Sequence, residues 1–481
     1  MENINFLYKS IDQYLSDINR EYFLVNAGYN KRQDFDYILN KWKFIFNDRN
    51  ILLLKKSESE VSIKTATYIE REQINLSVAG LEDEISNYFM NNQIIFKGKS
   101  MMFQEALKKI TMLKNRQDRK DLYMEIWKNK EFIKKIKMNS IGIFFKELRA
   151  KYGSASLSDI SGLSVNELKL IKKECEKFLL ETNDLYNETL EEYSNDSLNI
   201  EKSELAPYDL SYIIDSIKKA SKSSINLVDL INGSISGIGI NNYTFRIDSY
   251  SRAKKSERAF CSPIWIPQSV FLVIKESNST LDQKTALHEM GHALHYSNTI
   301  NNLNPIDKRI GEGGLSEGYG FIFDLLFLDI SFLKHVQNPT LNIKMLKWYQ
   351  VYLIRKYIAK FFYEMEFIKN PLSEKNFNNY KKIMGDILSI NETNFSDDDL
   401  SYIIDLEPWF YEIQYLKGWM FASVFQDFLV KKYTVKWWKS REAGKIMVDL
   451  WKIGQRPTIN SIINDMGLTN LSFSYISRLL N

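Results

Sequence analysis

Thr285–Ser297 reads "TALHEMGHALHYS" and holds three of the four histidines of a 481-residue chain. His288, Glu289 and His292 fall in a helical register. Residues four apart share one helix face, so both imidazoles can reach a single metal ion while the acid between them projects toward the metal's open side. That is the arrangement of zinc hydrolases. Imidazole nitrogens bind zinc at about 2.0 to 2.1 Å, and a catalytic site keeps one position for a water whose pKa falls to roughly 7. In that arrangement His288 and His292 are metal ligands, and Glu289 takes the proton of the water. With so few histidines in the chain, this spacing around a glutamate is poorly explained as chance.

His295 lies seven residues from His288, about 10 Å along a helix axis, too far for both to join one coordination sphere. It reads as a support for the ligands or as a packing residue. A third ligand must come from elsewhere, and the downstream acids Glu312 and Glu317 are the near candidates. Glu312 sits in "GEGG", where glycine leaves the backbone loose, whereas Glu317 opens the apolar helix "EGYGFIFDLLFLD". The more rigid element is the better place for a ligand. Asp324 follows on the same face, either to accept a hydrogen bond from the far nitrogen of a metal-bound histidine or to cap or solvate the helix.

Outward from this stretch, Gly233 to Lys275 changes texture. "GSISGIGINNYTFRIDSYS" and "RAFCSPIWIPQSVFLVIKE" carry β-branched and aromatic residues, glycines and two prolines, and predict a small β region. Pro263 and Pro267 cannot donate to a ladder, so these strands are expected to be edges or interrupted. Gly291 costs about 1 kcal/mol against alanine inside a helix, which suggests that it admits a close approach of this β stretch. From Met1 to about Leu205 the pattern is helical, as in "SIDQYLSDINREYFLV", and from Leu281 helices return to the end. The charge-dense run Lys114–Lys137 reads as a solvated helix face. The division expected is 1–205, an N-terminal helical region, and 206–481, a region carrying the metal chemistry.

Apolar residues make up 44% of the chain and charged residues 26%, values of an ordinary globular protein, and 8 prolines and 20 glycines favour long helices. The 64 basic and 60 acidic side chains balance to a net charge of +4, too even for an electrostatic nucleic-acid binder. Cys175 and Cys261 cannot make a disulfide framework, and the N-terminus lacks the basic start and apolar core of a signal peptide, so a cytoplasmic protein is expected. The most apolar segment, Tyr319–Leu333, contains Asp324 and Asp329 and falls short of the roughly 18 uncharged residues of a membrane span. No membrane or nucleic-acid partner is expected, and the oligomeric state is not legible.

The ordered set of motifs resembles the zinc oligopeptidase family of thimet oligopeptidase and oligoendopeptidase F. The matching pieces are "ALHEMGHALH", a glutamate 29 residues after the first histidine (from 288 to 317), "RAFCSP" upstream, and the tyrosine-rich "FYEIQYLKG" at Phe410–Gly418. They cover about half of the chain; the N-terminal half is similar only in helical texture. The resemblance implies a mainly α, two-lobed metallopeptidase with a small β-sheet next to the zinc-binding helix and a deep channel for short peptides. It carries His288, His292 and Glu317 over as ligands of one Zn2+ per chain, Glu289 as general base, and Tyr411 and Tyr415 as donors to the oxyanion. A phenol suits that task because it donates without being ionised near neutral pH.

The β stretch fits the same picture, since an extended peptide can add itself to an exposed strand edge. Ala259, Phe260 and Cys261, with Phe271–Ile274, are the expected substrate walls. Cys261 is expected to be a small buried residue rather than a nucleophile, no histidine being left to activate it. The family's histidine before the tyrosine segment has no counterpart in "DLEPWF", where Asp405 and Glu407 stand instead. The function implied is a zinc-dependent endopeptidase for short unstructured oligopeptides. The alternatives are a processing protease for one leader or signalling peptide and a catalytically silent peptide-binding protein, against which the intact Glu289 weighs.

Overall fold

The computed structural model describes residues 2–30, 34–223, 225–241, 243–336, 343–406, 408–468 and 470–480. The fold is mainly α. Among the described residues no helix is long and apolar enough to cross a membrane. Two compact units form, neither continuous in sequence: Met1–Gln73, Ser221–Leu341 and Lys417–Leu479 make the first, and Ile74–Ala220, Asn342–Leu416 and Leu480–Asn481 the second. The division thus departs from the expected boundary at 205/206. The physical reason is packing of the N-terminal helix Glu2–Asn26: its Phe23, with Ala27 just after its end, shares a core cluster with Phe260, Ile264 and Val273.

The first unit contains a three-stranded sheet of β3 (Arg246–Asp248), β4 (Phe260–Trp265) and β5 (Ser269–Val273), in the order β3-β5-β4. β3 runs parallel to β5 and β4 antiparallel to it. β4 is an edge strand, as its proline predicts, and its register shifts between Pro263 and Trp265. Pro267 follows a cis peptide bond in the turn to β5. β5 is the central strand, and Leu272, Val273 and the following Ile274 are buried, so of the expected wall Phe271–Ile274 only Phe271 is partly accessible. The "GSISG" at the start of the predicted β stretch ends the helix Leu227–Gly237 instead, whose Asn226 caps the backbone N–H groups of Val228 and Asp229.

The second unit holds a hairpin that the sequence reading missed, β1 (Gln93–Phe96) and β2 (Lys99–Met102), closed by Lys97 and Gly98 with φ of 50° and 72°. Its helices include Arg116–Trp127, Glu131–Tyr152 and Ile343–Phe367. The charged run at Lys114–Lys137 is only partly solvated. Arg119 is fully buried, 2.9 Å from Asp209, with its guanidinium over the Tyr212 ring at 4.2 Å. A buried charge of this kind is tolerated because it is paired and hydrogen-bonded.

Candidate metal centre and active site

The motif helix spans Thr280–Asn298, with Asp282 in its first turn, where a negative charge favours the helix N-terminus. Leu287, Met290, Ala293 and Leu294 are fully buried, while Thr285, His288, Glu289, His292 and Tyr296 are partly accessible. The spacing of three and four residues thus gathers the chemistry on one face.

The third candidate ligand, Glu317, arrives on a second helix, Gly313–Asp324, which lies against the motif helix. Glycines set this approach. A Cβ on Gly291 would stand 2.8 Å from Gly320 Cα and press on the Tyr319 carbonyl, and one on Gly320 would stand 2.6 to 2.9 Å from the His288 ring. Gly291 therefore admits this helix and not the β stretch, a correction to the sequence reading. On the far side of the same helix, a Cβ on Gly418 would stand 2.8 Å from Glu317 Cβ.

The result is a cluster in which the ligand atoms of His288, His292 and Glu317 lie within 4.8 Å of one another. His288 Nε2 is 3.1 Å from His292 Nε2 and 3.4 Å from Glu317 Oε2, and the third pair is separated by 3.9 Å. Ligands at about 2.0 to 2.1 Å around a tetrahedral zinc stand roughly 3.3 Å apart, so the cluster fits such an ion in both donor type and spacing. Three protein ligands leave the fourth position open, as a catalytic site requires and a structural one does not.

Each of the two imidazoles has a polar neighbour on its Nδ1 side. His292 Nδ1 is 3.0 Å from Ser316 Oγ, which in turn lies 3.3 Å from the Tyr296 hydroxyl. His288 Nδ1 faces Asp324 Oδ2 at 3.7 Å, an ion-pair separation longer than a hydrogen bond. Asp324 is buried and pairs with the buried Lys284 at 2.8 Å, so it neither caps nor solvates its helix.

The two imidazoles have opposite tendencies. Burial disfavours charge on His288, but the Asp324 and Glu317 carboxylates outweigh it and push its pKa up to about 10. Burial takes His292 down to about 4 despite Glu317, with His288 adding to the fall. One ring is then donor and the other acceptor across their 3.1 Å contact when no metal is bound. Metal binding has to displace that proton.

Glu289 is placed by the edge strand. The Cys261 backbone N–H donates to Glu289 Oε2 at 2.8 Å. Burial pushes the Glu289 carboxyl up to about 7, opposed by the attraction of His288 and the Cys261 N–H and assisted by Glu317. That value suits a group that accepts and returns a proton near neutral pH. The Cys261 thiol, raised by burial and by Glu289, is not an activated nucleophile. Phe260 is buried in the core and Ala259 is partly accessible beside it.

The remaining sequence candidates have the following partners. Glu312 pairs with Lys417 and accepts from the Ile459 N–H at 2.8 Å, so it is engaged elsewhere. His295 is fully buried between the Tyr296 and Tyr319 rings, at 4.9 and 4.8 Å, with Nε2 3.3 Å from the Gly454 carbonyl. It is a packing residue. Tyr411 and Tyr415 belong to the second unit, where their rings stand 5.2 Å apart and Tyr415 also meets Tyr357 at 4.8 Å. Asp405 is there too, 3.4 Å from the Tyr380 hydroxyl, and Glu407 lies outside the described residues.

Sequence reasoning missed Ser316, Tyr296 and Lys284. Lys284 and Tyr296 fall four residues from His288 and His292 on the motif helix, and Ser316 directly precedes Glu317, so position was the available signal.

No family model and no curated protein matches the chain. Among solved structures, one described as "BsuCP Crystal Structure" is similar over 100% of this chain and 97% of that one, with a TM-score of 0.60 and 12% sequence identity. At that identity the likeness is one of fold.

Proposed function

We propose that this protein is a zinc-dependent endopeptidase that hydrolyses short, unstructured oligopeptides in the cytoplasm. The observation that carries the reading is the convergence of His288, His292 and Glu317 within 4.8 Å, with Glu289 on the same helix face. Bound there, one Zn2+ supplies Lewis-acid polarisation of the scissile carbonyl and lowers the pKa of water.

The chain's own residues supply the rest. Glu289, oriented by the Cys261 N–H, accepts a proton from the attacking water and returns it to the leaving amine, which its placement near neutral pKa supports. Ser316 orients the His292 ring through its contact with Nδ1, and the Asp324 carboxylate, 3.7 Å from His288 Nδ1, favours positive charge on that ring. Tyr411 and Tyr415 keep, in this reading, the role of phenol donors to the developing oxyanion. Each Tyr→Phe change is then expected to lower kcat about 100-fold, which is in the range seen for loss of one such donor.

The test is cleavage of a mixed peptide library by the native protein and by Glu289→Gln, followed by mass spectrometry. Loss of cleavage in the variant with zinc retained supports the reading. Zinc binding by a native protein that cuts nothing favours a peptide-binding role instead.

A further inference from the structure

We infer that Tyr22, on the N-terminal helix, is a substrate-contacting residue of this site that receives an aromatic or large apolar peptide side chain beside the scissile bond. The inference rests on the peptidase reading of the site and adds a residue and a side-chain preference to it.

β4 has one edge that faces away from β5. A substrate strand needs free backbone donors and acceptors along such an edge. Here the Cys261 N–H is engaged by Glu289, Pro263 has no N–H, and the Pro263 and Ile264 carbonyls accept from Arg309 at 3.1 and 2.8 Å. Arg309 is itself held by Asp12 and by Ser16 at 2.6 Å, both on the N-terminal helix. Ser262 Oγ donates to the Asn19 carbonyl of that helix at 2.9 Å. Strand addition is therefore closed beyond Cys261, and a helix forms the wall there.

Tyr22 is the residue that this wall presents next to Phe260. Its ring stands 5.3 Å from the Phe260 ring with the planes 84° apart, yet 40% of Tyr22 stays exposed while the adjacent Phe23 is buried. Phe260 precedes Cys261, so the exposed ring sits one residue from the group that orients Glu289. A ring steadied by a perpendicular aromatic contact offers apolar surface of fixed orientation, which suits an aromatic or aliphatic side chain.

The experiment uses the full chain loaded with zinc. Peptides that differ only in carrying Phe, Leu, Ala or Asp on either side of the cleaved bond are assayed for kcat and KM with native, Tyr22→Phe and Tyr22→Ala proteins. Binding of the same peptides is measured by fluorescence anisotropy in the Glu289→Gln background. For Phe and Leu at one of the two positions, Tyr22→Ala is expected to raise KM and weaken binding about 10-fold, the scale of an apolar contact. Ala and Asp peptides are expected to be unaffected, Tyr22→Phe to behave as native, and kcat to stay within about twofold, since an apolar contact acts on binding rather than on proton transfer. Equal losses for all four side chains, or none, overturn the assignment of Tyr22. Absence of cleavage by native protein overturns the peptidase reading instead, and the binding measurements still judge Tyr22.

Discussion

His288 and His292 are similar side chains on one helix face, yet Asp324 stands behind one and Ser316 behind the other. Ser316 orients its ring and Asp324 raises the basicity of the other, so Ser316→Ala and Asp324→Asn should each weaken zinc affinity about 10- to 100-fold, measured by competition with a chelator. Full affinity in both variants would show that the rings are held by packing alone. His295 tests a different consequence of burial, because its pKa is pushed down to about 3 from an ordinary 6.5. A depressed folded pKa means that this residue contributes stability above about pH 6.5 that is lost as pH falls toward 3. Thermal unfolding between those limits should therefore be more pH-dependent in the native protein than in His295→Asn; parallel profiles would contradict this. At this scale the sharing of one face by His288, Glu289 and His292 was legible, because a four-residue spacing on one helix fixes its own geometry. Ser316 and Lys284 were not, because their roles depend on how two helices meet.

Helix contact is set by glycines in the motif helix and its partner. Gly291→Ala and Gly320→Ala should each cost about 1 to 3 kcal/mol by overpacking, with Gly320→Ala also weakening zinc binding through the His288 ring. Gly80 supplies the control: it is exposed in the helix Glu60–Asn91, a Cβ there meets nothing within 4 Å, and Gly80→Ala should stabilise by about 1 kcal/mol. Chemical denaturation decides the signs, and a neutral Gly291→Ala would remove the close approach from the account. Prolines told correctly that β4 is an edge, since a missing N–H is a local property. The partner of Gly291 was misread because the cost of glycine tells that something comes close without telling what. The hairpin at Gln93–Met102 was passed over because its turn is Lys97–Gly98 rather than the stronger Asn-Gly or Asp-Gly signal, and its strands are only four residues each.

The chain as a whole is less divisible than its composition suggests. The helical first half and the motif-bearing second half read as separate regions, but Phe23 and Ala27 complete a core with β4 and β5, and Asp12 and Ser16 hold Arg309. A fragment of residues 206–481 should thus fail to unfold cooperatively or to bind zinc tightly, whereas a fragment that does both would restore the simpler division. Such long-range closure leaves little trace in periodicity, which reports neighbours along the chain. What the assembled site does is decided by zinc titration of the metal-free full chain, with peptide cleavage followed at each addition. No cleavage is expected without metal, then a rise that saturates at one zinc per chain and is absent throughout in Glu289→Gln. Cleavage at full rate before any zinc is added, or one bound zinc with no cleavage, would contradict this.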